Sequence, residues 1–297
     1  MFVDAIEKVS GFTRPIHTIT RKYGDNTVIP GAATLFFVNE FGQAITCKHV
    51  AALVVGADKI NQNYKVFKKE EDVLTGKKNK YNRKLRELQA KFKYNVGKII
   101  QVKNNFVNCI DKMTGFEIML HPTEDVAIIK FNGFDKLCYS NYATFLKDSS
   151  LVKQGKCLCR LGYPFPEFTN FKYNEKIDDI EWTNEGKEST PRFPIDGMIT
   201  RQLVNKDGII HGIEISTPGL RGQSGAPLFD ENAIVYGMQS QTHHLHLGFD
   251  IKDKEIREGS KIKKVSNHPF LHLGNCVHVD IIKSFLKQHS IKFYENS

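Results

Sequence analysis

Short apolar runs of β-forming residues, each closed by a turn signal, dominate this chain and restrict it to a β-rich fold. Residues 33–50, ATLFFVNEFGQAITCKHV, are two such runs about an Asn-Glu-Phe-Gly turn, the pattern of a hairpin. DVAIIKF (125–131), KCLCRLGYP (156–164), GMITRQLV (197–204), IHGIEIST (210–217), APLFD (226–230) and AIVYGMQS (233–240) read the same way. Many short strands of this kind point to barrels or sandwiches. Two segments have helical periodicity instead. In DIIKSFLKQHS (280–290), Asp280 is the expected N-cap, and Ile281, Ile282, Phe285 and Leu286 share one face. In NKYNRKLRELQAKFKY (79–94), Tyr81, Leu85, Leu88 and Phe92 form an apolar stripe under a basic surface. Stretches 166–195 and 251–268 are polar and weakly periodic, and read as long loops.

With 297 residues there is room for two compact units, expected at 1–150 and 151–297. The start, MFVDAIEKVSGF, lacks a basic stretch followed by an apolar run, so no secretory leader is expected. The most apolar run, VAALVVGA (50–57), is far short of the roughly 20 residues that span a bilayer, so no membrane association is expected. Six cysteines (47, 109, 138, 157, 159 and 276) form no disulfide-dense framework. Cys157 and Cys159 sit two apart on an expected strand and share a face. These features favour free thiols in a reducing, cytoplasmic compartment. A lone C-x-C lacks the second ligand pair of a zinc site, and no metal or other cofactor is expected.

The formal net charge of +9 is concentrated. Residues 65–93 hold eleven Lys/Arg against four Asp/Glu, leaving only +2 for the rest. This segment, within an insertion expected at about 58–97, is either a solvated helix face or a surface that recruits an acidic protein. Nucleic acid is disfavoured, because Tyr81 and Phe92 are committed to docking the helix rather than stacking on bases.

RGQSGAPLFD (221–230) sets Ser224 between Gly222 and Gly225. Such a stretch is either a surface turn or a nucleophile whose glycines let backbone N–H groups converge on an oxyanion. Upstream, AITCKHVAAL places His49 just after a strand, and HPTEDVAIIK places Asp125 at the start of one. Each has an ordinary structural reading alone. Together, in the order His, Asp, Ser and each at a strand edge, they suggest a catalytic set.

On these residues the chain resembles the trypsin-like serine peptidases of the chymotrypsin fold, nearest their bacterial and HtrA-like members. The matching blocks are TCKHV (46–50), EDVAIIKF (124–131), LGYPFP (161–166), GQSGAPLFD (222–230), VYGMQS (235–240) and VDIIKSFL (279–286), in the family's order. The resemblance implies two Greek-key β-barrels, with a helical insertion in the first and a C-terminal helix opened by Asp280. The first barrel would carry His49 and Asp125, and the second Ser224. It implies a serine endopeptidase with His49 as general base, Asp125 as its orienter and Ser224 as nucleophile. The backbone N–H groups of Gly222 and Ser224 would form the oxyanion hole. Thr217, Pro218, Ser240, Gln241 and Thr242 would line the substrate pocket, with Gly274 to His278 on its far side.

Departures from the family pattern carry their own expectations. Gln223 stands where trypsins have the aspartate that pairs with a newly cleaved N-terminus, so activation by that route is excluded. No region the size of a PDZ domain follows the C-terminal helix. No acid occupies the pocket base, which disfavours a Lys/Arg preference. His243 and His246 have metal-compatible spacing, but a solvated loop is the stronger reading of that stretch. The rival to the peptidase is a catalytically idle scaffold of the same fold whose basic insertion binds an acidic protein or nucleic acid.

Overall fold

The computed structural model describes residues 2–76 and 78–297. Met1 and Lys77, the latter one of the basic residues of 65–93, lie outside the described residues. The first six-stranded sheet comprises β1 (Thr13–Lys22), β2 (Val28–Phe37), β3 (Gln43–Thr46), β4 (Ile99–Phe106), β5 (Gly115–Leu120) and β6 (Ala127–Asn132). Their lateral order is β4-β1-β2-β3-β6-β5, antiparallel throughout. The outer strands meet through side chains, with the Phe106 and Phe116 ring centroids 5.2 Å apart.

The second sheet comprises β7 (Cys157–Gly162), β8 (Phe193–Val204), β9 (Ile210–Ile215), β10 (Pro227–Phe229), β11 (Ile234–His246) and β12 (Phe270–His278). Its order, β10-β7-β8-β9-β12-β11, is that of the first, and β10 also pairs with β11, closing the ring. Each half therefore begins with three sequential neighbours whose fourth strand returns beside the first, a Greek key. No sequence repeat announces this. The architecture is a chymotrypsin-like double barrel, and a continuous core runs across both halves, with Phe36 packed on Phe145 and Leu158, Leu161 and Phe229 in the same cluster. Thr144–Phe145 and Tyr294–Glu295 add short parallel pairings beside β11.

Several local expectations need correction. VAALVVGA belongs to a helix, α2 (Lys48–Asp72), which leaves β3 directly and buries Ala51, Val54, Ala57, Tyr64 and Phe67. The helical excursion therefore starts at 48 rather than near 58. β-branched Val50, Val54 and Val55 and a mid-helix Gly56 hide it from propensity. α3 (Lys78–Phe92) does form, and Leu88, Leu85 and Phe92 pack on Tyr64, Phe67 and Ile100, while Tyr81 is only half-buried. An N-terminal helix, α1 (Val3–Ser10), buries Ala5 and Val9.

The stretch 166–195 is not a bare loop. Phe171–Asn174 and Asp179–Trp182 form a hairpin whose Ile180 and neighbouring Phe168 pack on Ile19 of β1. Residues 251–268 also form a hairpin, Ile251–Glu258 with Lys261–Asn267, which extends the β11–β12 pair into solvent. The C-terminal helix, α4 (Val279–Gln288), is capped by His278 rather than Asp280, the His278 ring accepting the Asp280 N–H. No helix among the described residues is long and apolar enough to cross a membrane.

Candidate active site

His49 sits in the first turn of α2, so the turn out of β3 dictates where its ring points. Asp125 precedes β6, which pairs directly with β3. Adjacent strands therefore deliver the two side chains. The Asp125 carboxylate accepts the His49 backbone N–H (3.0 Å) and lies 2.9 and 3.0 Å from the ring Nδ1. One carboxylate thus holds both the ring and a free N–H at the helix start, where negative charge is favoured. Burial alone would raise the Asp125 pKa. Hydrogen bonds from the His49 ring, the Ser240 hydroxyl and the His49 N–H outweigh it and hold the carboxyl at about 2. On the other side of the imidazole, Nε2 is 3.1 Å from Ser224 Oγ.

Ser224 is carried by a tight bend. Gly222 and Gly225 have φ of +96° and +91°, and a Cβ on either would meet backbone, Tyr163 O at 2.5 Å and Thr34 O at 2.0 Å. Only glycine fits both places. Buried Gln223 braces the bend from within: its Oε1 accepts the Leu220 N–H (3.1 Å), and its Nε2 donates to Phe193 O (3.2 Å). The Gly222 and Ser224 N–H groups carry no intramolecular hydrogen bond among the described residues.

A cleft of about 740 Å³ opens here, lined in part by His49, Asp125, Gly219, Ser224, Ser240 and Gln241. Of the expected pocket residues, Ser240, Gln241 and Thr242 line it, and Ser240 also holds Asp125. Thr217 and Pro218 do not line it; both accept hydrogen bonds from buried Arg160. His243 and His246 do not converge: His243 faces Glu214 (3.8 Å), and His246 bonds Asp250 (2.8 Å). Sequence reasoning missed Thr34, whose N–H and hydroxyl clamp the Ser224 loop, and Arg160. No motif flags either one, since each acts across a barrel boundary or inside a strand.

The repeated strand order defines a chymotrypsin-like double barrel, with Ser224, His49 and Asp125 brought together in one cleft. Among solved structures, the chain is similar to the HtrA-type protease AlgW with a decapeptide, at 11% identity and a TM-score of 0.48, covering 97% of this chain and 67% of that one. A variant of the same protease with a tripeptide gives 12% identity and 0.48; this chain spans 63% of its length. No family model matches the chain, and no curated protein matches it in sequence.

Proposed function

We propose that the protein is a serine endopeptidase working through an acyl-enzyme. Ser224 Oγ attacks the peptide carbonyl while His49 Nε2 takes its proton, then passes it to the leaving amine. Asp125 fixes the Nδ1–H tautomer and stabilises the imidazolium. The Gly222 and Ser224 N–H groups receive the developing oxyanion. Water, activated by the same histidine, releases the acid and restores Ser224. One observation carries this reading: a single imidazole lies 3.1 Å from a serine hydroxyl on one side and 2.9 Å from a carboxylate on the other. The test is labelling by a fluorophosphonate. The full chain should form the adduct and Ser224→Ala should not; an unlabelled wild-type chain under excess reagent overturns the reading.

The idle-scaffold reading rests on a different feature, the exposed basic face of α3, with Lys78, Lys80, Arg83 and Arg86 in solvent. An acidic protein is the partner this face fits. The two readings are compatible if the partner is a substrate. A reducing, cytoplasmic setting is proposed as well, supported by six unbridged cysteines.

A further inference from the structure

The second barrel buries a cation beside the nucleophile. Arg160, on β7, is 0% exposed and heads the fully buried side chains by size. Its Nη1 donates to Gln239 Oε1, and its Nη2 donates to Thr217 O (3.1 Å), Thr217 Oγ1 (2.6 Å) and Pro218 O (3.2 Å). All four acceptors are neutral, and Nε has no partner among the described residues. Burial lowers the guanidinium's pKa, yet a guanidinium stays charged in a protein.

Other buried charges of this chain are handled differently. Arg21 pairs with Asp178 at 2.6 Å, Lys283 with Glu295 at 3.0 Å, and Glu214 with Arg201 at 2.7 Å. Asp196, exposed on β8, acts on Arg160 only through space. An uncompensated buried charge is costly and is expected to be matched by something.

Of the groups that hold Arg160, Gln239 is the one that reaches the cleft. Its Nε2 donates to Gln241 O (2.7 Å) and, by a long bond, to Asn275 O (3.3 Å). A Cβ at Gly219 would lie 2.3 Å from Gln239 Nε2, and one at Gly274 would lie 2.4 Å from Arg160 Nη1. Carboxamide and guanidinium thus press against bare glycine backbone, the first at cleft-lining Gly219 and the second at Gly274. Thr242 Oγ1 donates to Gly219 O (2.6 Å), tying two lining segments together. The other charged side chains at the cleft are Lys48 and Arg221, against a single carboxylate, Asp125, already engaged by His49 and Ser240.

We propose that the primary pocket selects a carboxylate, so that the peptide bond cut is the one following Glu or Asp, with Arg160 as the buried counter-charge and Gln239 as the layer between. This rests on the serine endopeptidase reading. The substrate carboxylate takes the Gln239 Nε2 hydrogen now spent on the long bond to Asn275 O. It also gives the guanidinium the opposite charge that the protein withholds. An amide of the same shape gains the hydrogen bond but not the charge.

The test is a set of otherwise identical fluorogenic peptides with Glu, Asp, Gln, Ala, Phe or Lys before the cleaved bond, run alongside fluorophosphonate labelling of the same preparation. The better acidic peptide should exceed Gln at least tenfold in kcat/KM, with Lys lowest. In Arg160→Met the ratio of Glu to Gln should fall to about one. The wild-type ratio decides by itself if that variant does not fold. A protein that labels but cleaves Gln as well as Glu overturns the proposal and leaves the peptidase reading standing. A protein that does not label overturns the peptidase reading. The pocket is then decided by binding of product peptides to Ser224→Ala, where a Glu terminus should bind at least tenfold tighter than a Gln terminus and equal binding overturns the assignment.

Discussion

Thr34, in the first barrel, holds the Ser224 loop of the second: its hydroxyl donates to Gly222 O across 2.8 Å and its N–H to Ser224 O across 2.9 Å. The same hydroxyl accepts the Tyr163 N–H (3.2 Å). The bend bearing Ser224 is therefore positioned from across the barrel boundary. Thr34→Val keeps the shape and removes the hydroxyl. It should lower kcat roughly ten- to hundredfold with a smaller change in KM, because small misplacements of reacting groups are expensive. Unchanged kcat would show that the bend is set without Thr34.

If Ser224, His49 and Asp125 work as the proposed triad, removing any of them should follow the behaviour of groups that act as a unit. Ser224→Ala and His49→Ala should each cost on the order of 10⁶ in kcat, and Asp125→Asn around 10⁴ through the wrong imidazole tautomer. Ester turnover like that of the wild type in any of the three would remove the assignment.

Gln223 bears on activation. Its carboxamide bonds Leu220 and Phe193 where trypsins use an ion pair to a new N-terminus. Phe2 meanwhile packs edge-on to Phe229, 6.2 Å between centroids. A preparation that keeps an N-terminal tag should label as fast as one with the tag removed, and Gln223→Leu should label at least tenfold more slowly. Labelling that begins only after N-terminal trimming would contradict this.

Acid should destabilise the fold partly through His17. Its ring is 1% exposed, stacks on Phe168, and lies 2.7 Å from Thr190 Oγ1. Burial lowers its pKa to about 4. Above about pH 6.5 neither the folded nor the unfolded chain protonates this ring, and its contribution is complete. Between there and about 4 only the unfolded chain takes up the proton, so stability falls as pH falls, by about 3 kcal/mol in all. Buried His278 acts in the same direction. Urea unfolding at pH 7 and 4.5 should show a smaller difference for His17→Gln than for the wild type. An equal difference would place the acid sensitivity elsewhere.

Reversing Lys78, Lys80, Arg83 and Lys84 to glutamate should leave turnover of a small neutral ester unchanged. It should slow cleavage of an acidic protein substrate, most strongly at low salt, where the Debye length is longest. Equal loss on both substrates would assign the segment to the fold instead.

Much of this molecule is written locally. The strands around ATLFFV, DVAIIKF and AIVYGMQS follow from β-branched and aromatic runs bounded by turns, and His49, Asp125 and Ser224 stand in short stretches that any reader can find. α4 is legible because Ile281, Ile282, Phe285 and Leu286 share a face, though its cap moved to His278. The stripe of α3 is legible for the same reason. α2 is not, because valines and Gly56 argue against a helix that is held by packing of Tyr64 and Phe67 on the sheet. The hairpin at Phe171–Trp182 likewise gains its order from Ile19 and Phe168, not from its own periodicity. What only the tertiary structure decided is the site's support: Thr34 reaching Gly222 from 188 residues away, Gln223 turned inward to brace its own loop, and Arg160 buried under Gln239 without a carboxylate. Local propensity reports on a residue and its near neighbours in the chain. Hydrogen bonds across a barrel boundary, and the field of a buried charge, depend on distances that exist only once both sheets have closed.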